Sequence, residues 1–170
     1  AGFDSKEQYN AMRLLDHAVG EYISSAKTAP YFNNTIFLFF GDHGTSDPKA
    51  LHMPNSDFDL RLRSYQVPFF IYGPEHIKGG IVRNDVSQLV DILPTVIGLA
   101  GKPYENRTMG RDLLNGKIPI DPLALIINKK MAKPHIAVIG QNYYLSLANR
   151  RGGPRVKLHE LWSDKPLVNV

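Results

Sequence analysis

The sequence predicts an α/β protein, and three observations carry that prediction. An amphipathic helical pattern precedes a continuous apolar run from Thr35 to Phe40, the kind of run found in buried strands. A second apolar run, from Val67 to Gly73, and a second short helical segment follow it. The last third of the chain instead alternates apolar runs with tight turns. We therefore expect a mixed sheet with flanking helices that ends in antiparallel strands.

The first predicted helix begins at Ser5. Ser5 and Gln8 form the capping-box pattern, a hydroxyl followed three residues later by a glutamine. Proline cannot continue the helical hydrogen-bond ladder, so Pro30 ends the segment. Apolar residues recur at three- and four-residue steps and predict one apolar helix face: Tyr9, Met12, Leu15, Val19, Tyr22, Ile23 and Ala26.

The run from Thr35 to Phe40 is apolar without alternation, which is typical of a central parallel strand covered on both faces. It stops at Gly41-Asp42-His43-Gly44. The polar stretch from Thr45 to Ser64 predicts a long loop, and loops of that length are usually functional. The run from Val67 to Gly73 predicts the next strand.

Asp91 is predicted to cap a helix that runs through Ala100, with Gly101 as its C-terminal glycine. A loop is expected from Lys102 to Asp121. The runs His135–Gly140 and Tyr143–Ala148 flank Gln141-Asn142 and predict a hairpin. Another strand is predicted from Val156 to Trp162.

Composition excludes several classes of protein. Of 170 residues, 43% are hydrophobic and 21% are charged, which is inconsistent with a disordered chain. There is no cysteine, so disulfides and cysteine-bound metals are excluded. The net charge is +4, and no basic stripe follows a helix face, so we expect no nucleic-acid partner. No apolar run approaches the roughly 20 residues that span a membrane.

The sharpest chemical feature is Asp42-His43 between two glycines at the end of a buried strand. Ligands of open α/β sheets bind beyond the carboxyl ends of the strands. A carboxylate and an imidazole at that place can reach one metal ion. The flanking glycines let the backbone turn sharply and approach a ligand. The alternative is a plain turn in which the aspartate caps local amides and the histidine is solvated.

Five blocks of sequence resemble, in order, the sulfatase family of the alkaline phosphatase superfamily. FLFFGDHGTSD resembles the family's metal-binding strand end, and the helix and turn before it fit the same pattern. LRLRSYQVPFFIYGP resembles the next strand with its preceding loop. VSQLVDILPTVIGLAGKPYENRTMGRDLL is similar to the Asp-x-x-Pro-Thr helix and the turn after it, and KLHELWSDKPLVNV to the C-terminal strand.

The resemblance implies that residues 1–170 are a C-terminal fragment of a sulfatase-like catalytic domain. Residues 1–118 would be the α/β part with the Asp-His motif, and residues 119–170 the antiparallel C-terminal strands. Family members carry their nucleophile and a first metal-binding acid upstream, so we expect no catalytic nucleophile here. Apolar surface that the missing part would cover is expected to be exposed and to favour self-association.

The resemblance also assigns site residues. Asp42 and His43 match the family's metal ligands. His52 and Lys49 are expected to contact an anionic ester substrate, although a solvated loop histidine and a surface lysine are the alternatives. Thr45 is not expected to be the nucleophile, and the default reading of Arg61 and Arg63 is a solvated face.

The implied function is a metal-dependent enzyme that hydrolyses or transfers a sulfate or phosphate ester. The metal would be Mn, Zn, Ca or Mg. Within the family, the pattern looks most like the branch of lipoteichoic acid synthases and phosphoglycerol or phosphoethanolamine transferases. That branch implies a periplasmic or extracellular location, with membrane attachment only through absent N-terminal segments. The alternative from another class is a non-catalytic binding or assembly module on a truncated catalytic fold.

Overall fold

The computed structural model describes residues 5–45, 53–115, 121–128, 135–150 and 153–170. The chain divides into two compact units, residues 1–82 and 83–170. The predicted division between residues 118 and 119, which rested on the change to antiparallel strands, therefore falls inside the second unit. The placement of the chain within a longer family domain stays a prediction.

The first unit opens with α1, Lys6–Ala26. Its predicted start is confirmed, because the Ser5 hydroxyl accepts a 3.1 Å hydrogen bond from the Gln8 amide. Ala26 is buried against Phe32 and Phe37. The predicted apolar face is largely uncovered, however, and several of its side chains are exposed: Tyr9, Met12, Leu15 and Tyr22. None of the helices in the described part of the chain is both long and apolar enough to cross a membrane.

Two short strands follow, β1 (Phe37–Phe40) and β2 (Phe69–Tyr72). Both were predicted, but the expected parallel neighbour of β1 is not found among the described residues. β1 instead pairs antiparallel with β2, with Phe37 opposite Tyr72. The ring centroid of Phe37 lies 5.8 Å from that of Phe32 and 6.1 Å from that of Tyr72. This aromatic cluster is the core of the unit.

The segment predicted as one long loop contains helical structure. α2 spans Asn55–Asp59, and a 3-10 turn follows at Leu62–Ser64. Leu62 is buried and anchors the turn. Arg61 joins the two with φ 55° and ψ 36°, the left-handed conformation that non-glycine residues rarely adopt. The burial of Leu62, which sequence spacing does not reveal, explains the departure from the predicted loop.

The second unit begins with a 3-10 turn, Leu89–Asp91, that leads into α3, Ile92–Leu99. The predicted helix is confirmed, and Gly101 has the positive φ of 68° expected of a C-terminal glycine. The predicted capping role of Asp91 is corrected. Its carboxylate accepts a 2.9 Å bond from the Gln88 amide before it, and α3 has no side-chain cap.

Four strands complete the unit in one antiparallel sheet of order β3-β4-β5-β6. β4 and β5 form the predicted hairpin, closed by the Gly140 amide on the Tyr143 carbonyl at 2.9 Å. β3 was not predicted, because its short apolar run lies in a region without alternation. The strands are β3 (Ala124–Asn128), β4 (His135–Ile139), β5 (Tyr143–Arg150) and β6 (Gly153–Glu160).

One face of this sheet is aliphatic across all four strands. Leu125 pairs with Val138, Val138 with Leu145, and Leu145 with Leu158. The opposite face buries Ile126, Ala137, Tyr144 and His159. We call the first surface the aliphatic face, and it consists of Leu125, Ile127, Ile136, Val138, Leu145, Leu147, Val156 and Leu158. Six of these are exposed, all except Val138 and Leu158, although an antiparallel sheet usually presents polar residues to water.

Candidate metal centre

The candidate centre lies where β1 ends. The Gly41 amide donates to the Pro68 carbonyl at 3.2 Å, which continues the pairing between the strands by one residue. Asp42 and His43 come next, and the chain there leaves the ladder. The side chains of Asp42 and His43 are 90% and 78% exposed. The strand thus presents a carboxylate and an imidazole together to solvent, as the sequence predicted.

The two side chains are close enough to share a ligand. The Asp42 Oδ1 atom accepts a 3.0 Å hydrogen bond from the His43 amide, which orients the carboxylate toward the histidine. His43 Nε2 lies 3.9 Å from the same oxygen. Two donors at this separation can both contact one cation, since metal–nitrogen and metal–oxygen distances are about 2.0–2.2 Å for Zn²⁺.

The hydrogen bond on the other ring nitrogen sets the chemistry of the imidazole. His43 Nδ1 lies 2.9 Å from the Gly44 carbonyl oxygen. A carbonyl only accepts, so a hydrogen bond at this contact requires the proton of the neutral ring to be on Nδ1. The lone pair is then on Nε2, the nitrogen that faces Asp42. Metal-binding histidines commonly have this arrangement, with one nitrogen bonded to a backbone carbonyl and the other to the metal.

These donors fit a divalent metal as part of its ligand set. Carboxylate oxygen and neutral imidazole nitrogen suit Zn²⁺ and Mn²⁺. Across the described ranges, no group of three or more His, Asp or Glu side chains is arranged to hold an ion. A metal bound here would take two ligands from Asp42 and His43, and the rest of a four- to six-coordinate shell would come from elsewhere.

Gly44 is required by space, not by a left-handed turn. Its φ is not positive, unlike that of Gly80, Gly101 and Gly153. A Cβ on Gly44 would instead overlap the Arg63 carbonyl oxygen and lie 2.7 Å from the Gln66 carbonyl oxygen. The expected role of this glycine is thus corrected: it lets the loop pack on the backbone of residues 63–66.

Two backbone hydrogen bonds hold that packing. The Gly44 amide donates to the Ser64 carbonyl at 3.2 Å, and the Thr45 amide donates to the Arg63 carbonyl at 3.1 Å. We call residues 63–66 the seat of the metal loop. Sequence reasoning missed the seat, because its contacts are made by backbone atoms that any residue carries. The glycine directly after Asp42-His43 was the available signal in the sequence.

The two predicted substrate-binding residues fall outside the described part of the chain. His52 and Lys49 lie in residues 46–52, outside the described residues, and their substrate roles stay predictions. Arg61 is exposed and Arg63 is half-buried. Elsewhere in the first unit, Asp16 and His17 form a second adjacent Asp-His pair on α1, and both are exposed.

A protein-family model described as Sulfatase matches residues 5–102, more than half of the chain. The match includes α1, both strands of the first unit, the Asp-His pair and α3. The family that the sequence resembled is thereby confirmed.

Curated relatives agree. The chain is 36% identical to an arylsulfatase of Clostridium perfringens over 95 residues, which are 54% of this chain and 19% of the relative. It is 31% identical to arylsulfatase K of Danio rerio, over 79% of this chain and 24% of the relative. It is 32% identical to a lipoteichoic acid synthase of Staphylococcus aureus, over 61% of this chain and 17% of the relative. The chain thus spans about a quarter or less of the length of these relatives.

A solved structure shares the fold. The crystal structure of a candidate sulfatase from Bacteroides thetaiotaomicron superposes with a TM-score of 0.67 at 20% identity. The superposition covers 99% of this chain and 40% of that one. The α/β, alkaline-phosphatase-like fold predicted from the sequence is therefore confirmed.

Proposed function

This chain belongs to the sulfatase family of the alkaline phosphatase superfamily, and we propose that it carries part of the metal centre of an ester-cleaving or ester-transferring enzyme. The family consists of enzymes that act on sulfate or phosphate esters. The proposal adds that residues 1–170 are a C-terminal portion of such an enzyme, that the enzyme depends on a divalent metal, and that Asp42 and His43 bind it.

One observation carries the proposal. Asp42 and His43 stand exposed at the carboxyl end of β1, with Nε2 of the histidine 3.9 Å from Oδ1 of the aspartate. The Gly44 carbonyl occupies Nδ1, so the donor atoms that face each other are the two suited to a cation. An aspartate that accepts from a local amide beside an exposed histidine also fits the plain turn, so metal binding is the measurement that separates the two interpretations.

The chain's own residues would bind and orient. A divalent ion held there supplies a Lewis acid that polarises a non-bridging ester oxygen and lowers the pKa of a hydroxyl nucleophile. Asp42 and His43 would fix the position of that charge relative to β1. The nucleophile is expected from a part of the enzyme outside residues 1–170. His52 and Lys49 are proposed to contact the anionic ester.

A narrower assignment concerns the branch of the family. The similarity to a lipoteichoic acid synthase supports a phosphoglycerol or phosphoethanolamine transferase of the cell envelope. The similarity to arylsulfatases supports sulfate esters instead. An outward-facing location is supported by relatives that include a Caenorhabditis elegans protein described as an extracellular sulfatase homolog.

Metal titration by calorimetry tests the proposal. Mn²⁺ and Zn²⁺ are titrated into the wild-type chain, Asp42→Ala and the matched control Asp16→Ala, which removes the aspartate of the other adjacent Asp-His pair. We expect weak binding, because two protein ligands leave most of the shell to water. That binding should disappear in Asp42→Ala and persist in Asp16→Ala.

Two results would contradict the proposal. Equal binding by wild type and Asp42→Ala would remove the aspartate from the centre. Tight binding that Asp42→Ala abolishes would keep the ligand assignment but show that these residues nearly complete the site, against the proposed division of ligands.

A non-catalytic module on the same fold is the second candidate. The described residues supply two metal ligands and no group of three, which favours this reading if the chain acts alone. Activity in a longer polypeptide that includes this chain, lost on Asp42→Ala, would exclude it.

A further inference from the structure

The backbone of residues 63–66 lies against the loop that carries the exposed His43. We infer that Gly44, packed on the backbone of residues 63–66, is a positioning residue that keeps the His43 proton on Nδ1 and the Nε2 lone pair turned toward Asp42. The metal consequence of this inference rests on the proposed function, but the tautomer itself does not.

The orientation of the His43 ring depends on the contacts of its nitrogen atoms. Its side chain is 78% exposed, so neighbouring side chains do not confine the ring. Asp42 Oδ1 lies 3.9 Å from Nε2, which is too far for a hydrogen bond, so the hydrogen bond to the ring is the one between Nδ1 and the Gly44 carbonyl at 2.9 Å. The direction of that carbonyl therefore decides which ring nitrogen keeps the proton.

The direction of the Gly44 carbonyl is fixed by hydrogen bonds of the neighbouring amides. The peptide units on both sides of Gly44 are tied to the seat, through the Gly44 amide on Ser64 and the Thr45 amide on Arg63. The Gly44–Thr45 peptide plane contains both the Gly44 carbonyl and the Thr45 amide, so the hydrogen bond to Arg63 sets the direction of the carbonyl.

Position 44 has no space for a side chain. A Cβ at position 44 would overlap the Arg63 carbonyl oxygen and crowd the Gln66 carbonyl oxygen at 2.7 Å. Both obstacles are backbone atoms, which cannot rotate away as a side chain would. The loop would have to lift off the seat, and both amide bonds would lengthen.

The backbone that leads into the seat contains an uncommon conformation. Arg61 has φ 55°, the one positive φ among the non-glycine residues of the described ranges. This conformation turns the chain between α2 and the 3-10 turn that contains Arg63 and Ser64. Strained backbone of this kind persists where surrounding structure holds it, and functional sites are common among such places.

The test reads the tautomer directly by long-range ¹H–¹⁵N correlation of the histidine rings at pH 8. His43→Gln identifies the His43 signals by their loss among the six histidines. The wild type should show Nδ1 protonated and Nε2 unprotonated. Gly44→Ala should shift His43 toward protonated Nε2, the usual form of free histidine. The matched control is Gly79→Ala, because a Cβ there meets nothing within 4 Å.

Hydrogen exchange and Mn²⁺ give two further readouts. The Gly44 and Thr45 amides should exchange slowly in the wild type. Gly44→Ala should lower the Mn²⁺ affinity by about tenfold or more, as expected for a lost outer-shell partner. Broadening of the His43 ring signals during the Mn²⁺ titration measures that affinity.

The outcomes separate this inference from the proposed function. Protonated Nε2 in the wild type would overturn it without any variant, even if Gly44→Ala failed to fold. An unchanged tautomer in folded Gly44→Ala would also overturn it. The expected tautomer without selective broadening by Mn²⁺ would support the positioning role and contradict the proposed metal site instead.

Discussion

The backbone amide of Arg111 donates a 2.9 Å hydrogen bond to Oδ1 of Asp91, twenty residues earlier in the chain. Oδ2 of the same carboxylate accepts from the Gln88 amide, and its side chain is almost fully buried. The Arg111 guanidinium also lies 3.9 Å from this carboxylate. One buried aspartate thus joins the entry of α3 to the loop that follows the helix, a role that differs from the capping of the helix amides that the sequence predicted.

Asp91→Ala is expected to destabilise the chain by about 2–4 kcal/mol, because two part-buried amides lose their acceptor and the Arg111 guanidinium loses one of the two carboxylates near it. Urea unfolding followed by circular dichroism measures the change. Asp121→Ala, at an exposed aspartate of the same unit, should stay within about 0.5 kcal/mol of wild type. A loss below about 1 kcal/mol in Asp91→Ala would show that the buried network contributes little.

Two glycines should respond in opposite directions to alanine. A Cβ on Gly98 would overlap Oδ2 of Asp112, whereas a Cβ on Gly20 of α1 meets nothing within 4 Å. Gly20→Ala should raise stability by about 0.5–1 kcal/mol through helix propensity, and Gly98→Ala should lower it by about 1–3 kcal/mol through crowding. Thermal unfolding of the two variants against wild type decides the signs. Stabilisation by both changes would contradict the contact at Gly98.

His159 should tolerate an apolar replacement. It is buried on β6 opposite Tyr144, with ring centroids 6.1 Å apart, and Nδ1 has no hydrogen-bond partner within the described structure. His159→Phe removes a buried unsatisfied atom and keeps the ring contact, so we expect a gain of about 1 kcal/mol in the free energy of unfolding. The exposed His76→Phe is the control for a general effect of phenylalanine, and destabilisation by His159→Phe alone would indicate a partner for Nδ1.

Self-association is expected through the aliphatic face, with a second copy of the chain as the partner. Its six exposed side chains present on the order of 500 Å² per chain, the size of the largest apolar patch on a typical monomer, which is often functional. Two copies would bury about 1,000 Å² in total, the lower limit for a specific interface. Leu145→Lys places a charge at the centre of the face and should reduce the mass in sedimentation equilibrium from dimer to monomer.

Met109→Lys is the control for that change, because Met109 is an exposed apolar residue outside the sheet. It should leave the dimer intact. A wild-type chain that stays monomeric up to about 100 µM, or a Leu145→Lys chain that still dimerises, would assign the face to another occupant.

The isolated chain should show little or no turnover of p-nitrophenyl phosphate or sulfate with Mn²⁺ or Zn²⁺ present. The reason is chemical, since two metal ligands without the nucleophile expected upstream cannot form a covalent intermediate. Turnover that Asp42→Ala abolishes would contradict this expectation and place a nucleophile within residues 1–170. Turnover equal in wild type and Asp42→Ala would indicate a contaminant.

Local signals in the sequence determined the elements with strong patterns. The hydroxyl of Ser5, the apolar period of α1, the run before Gly41 and the turn at Gln141-Asn142 each act over a few residues, so the helix, the strand and the hairpin could be predicted. The exposed Asp42-His43 pair could be recognised for the same reason, because the two candidate ligands are neighbours in sequence, and their metal-binding role stays a prediction.

Tertiary structure decided what depends on distant backbone. Three features depend on contacts between segments that carry no local signal for one another. They are the antiparallel pairing of β1, the helical turns after Pro54, and the hydrogen bond from Arg111 to Asp91. The seat under Gly44 is the clearest case. Its carbonyl groups exist at every residue, and only the folded chain brings those of Arg63, Ser64 and Gln66 to the loop that presents His43.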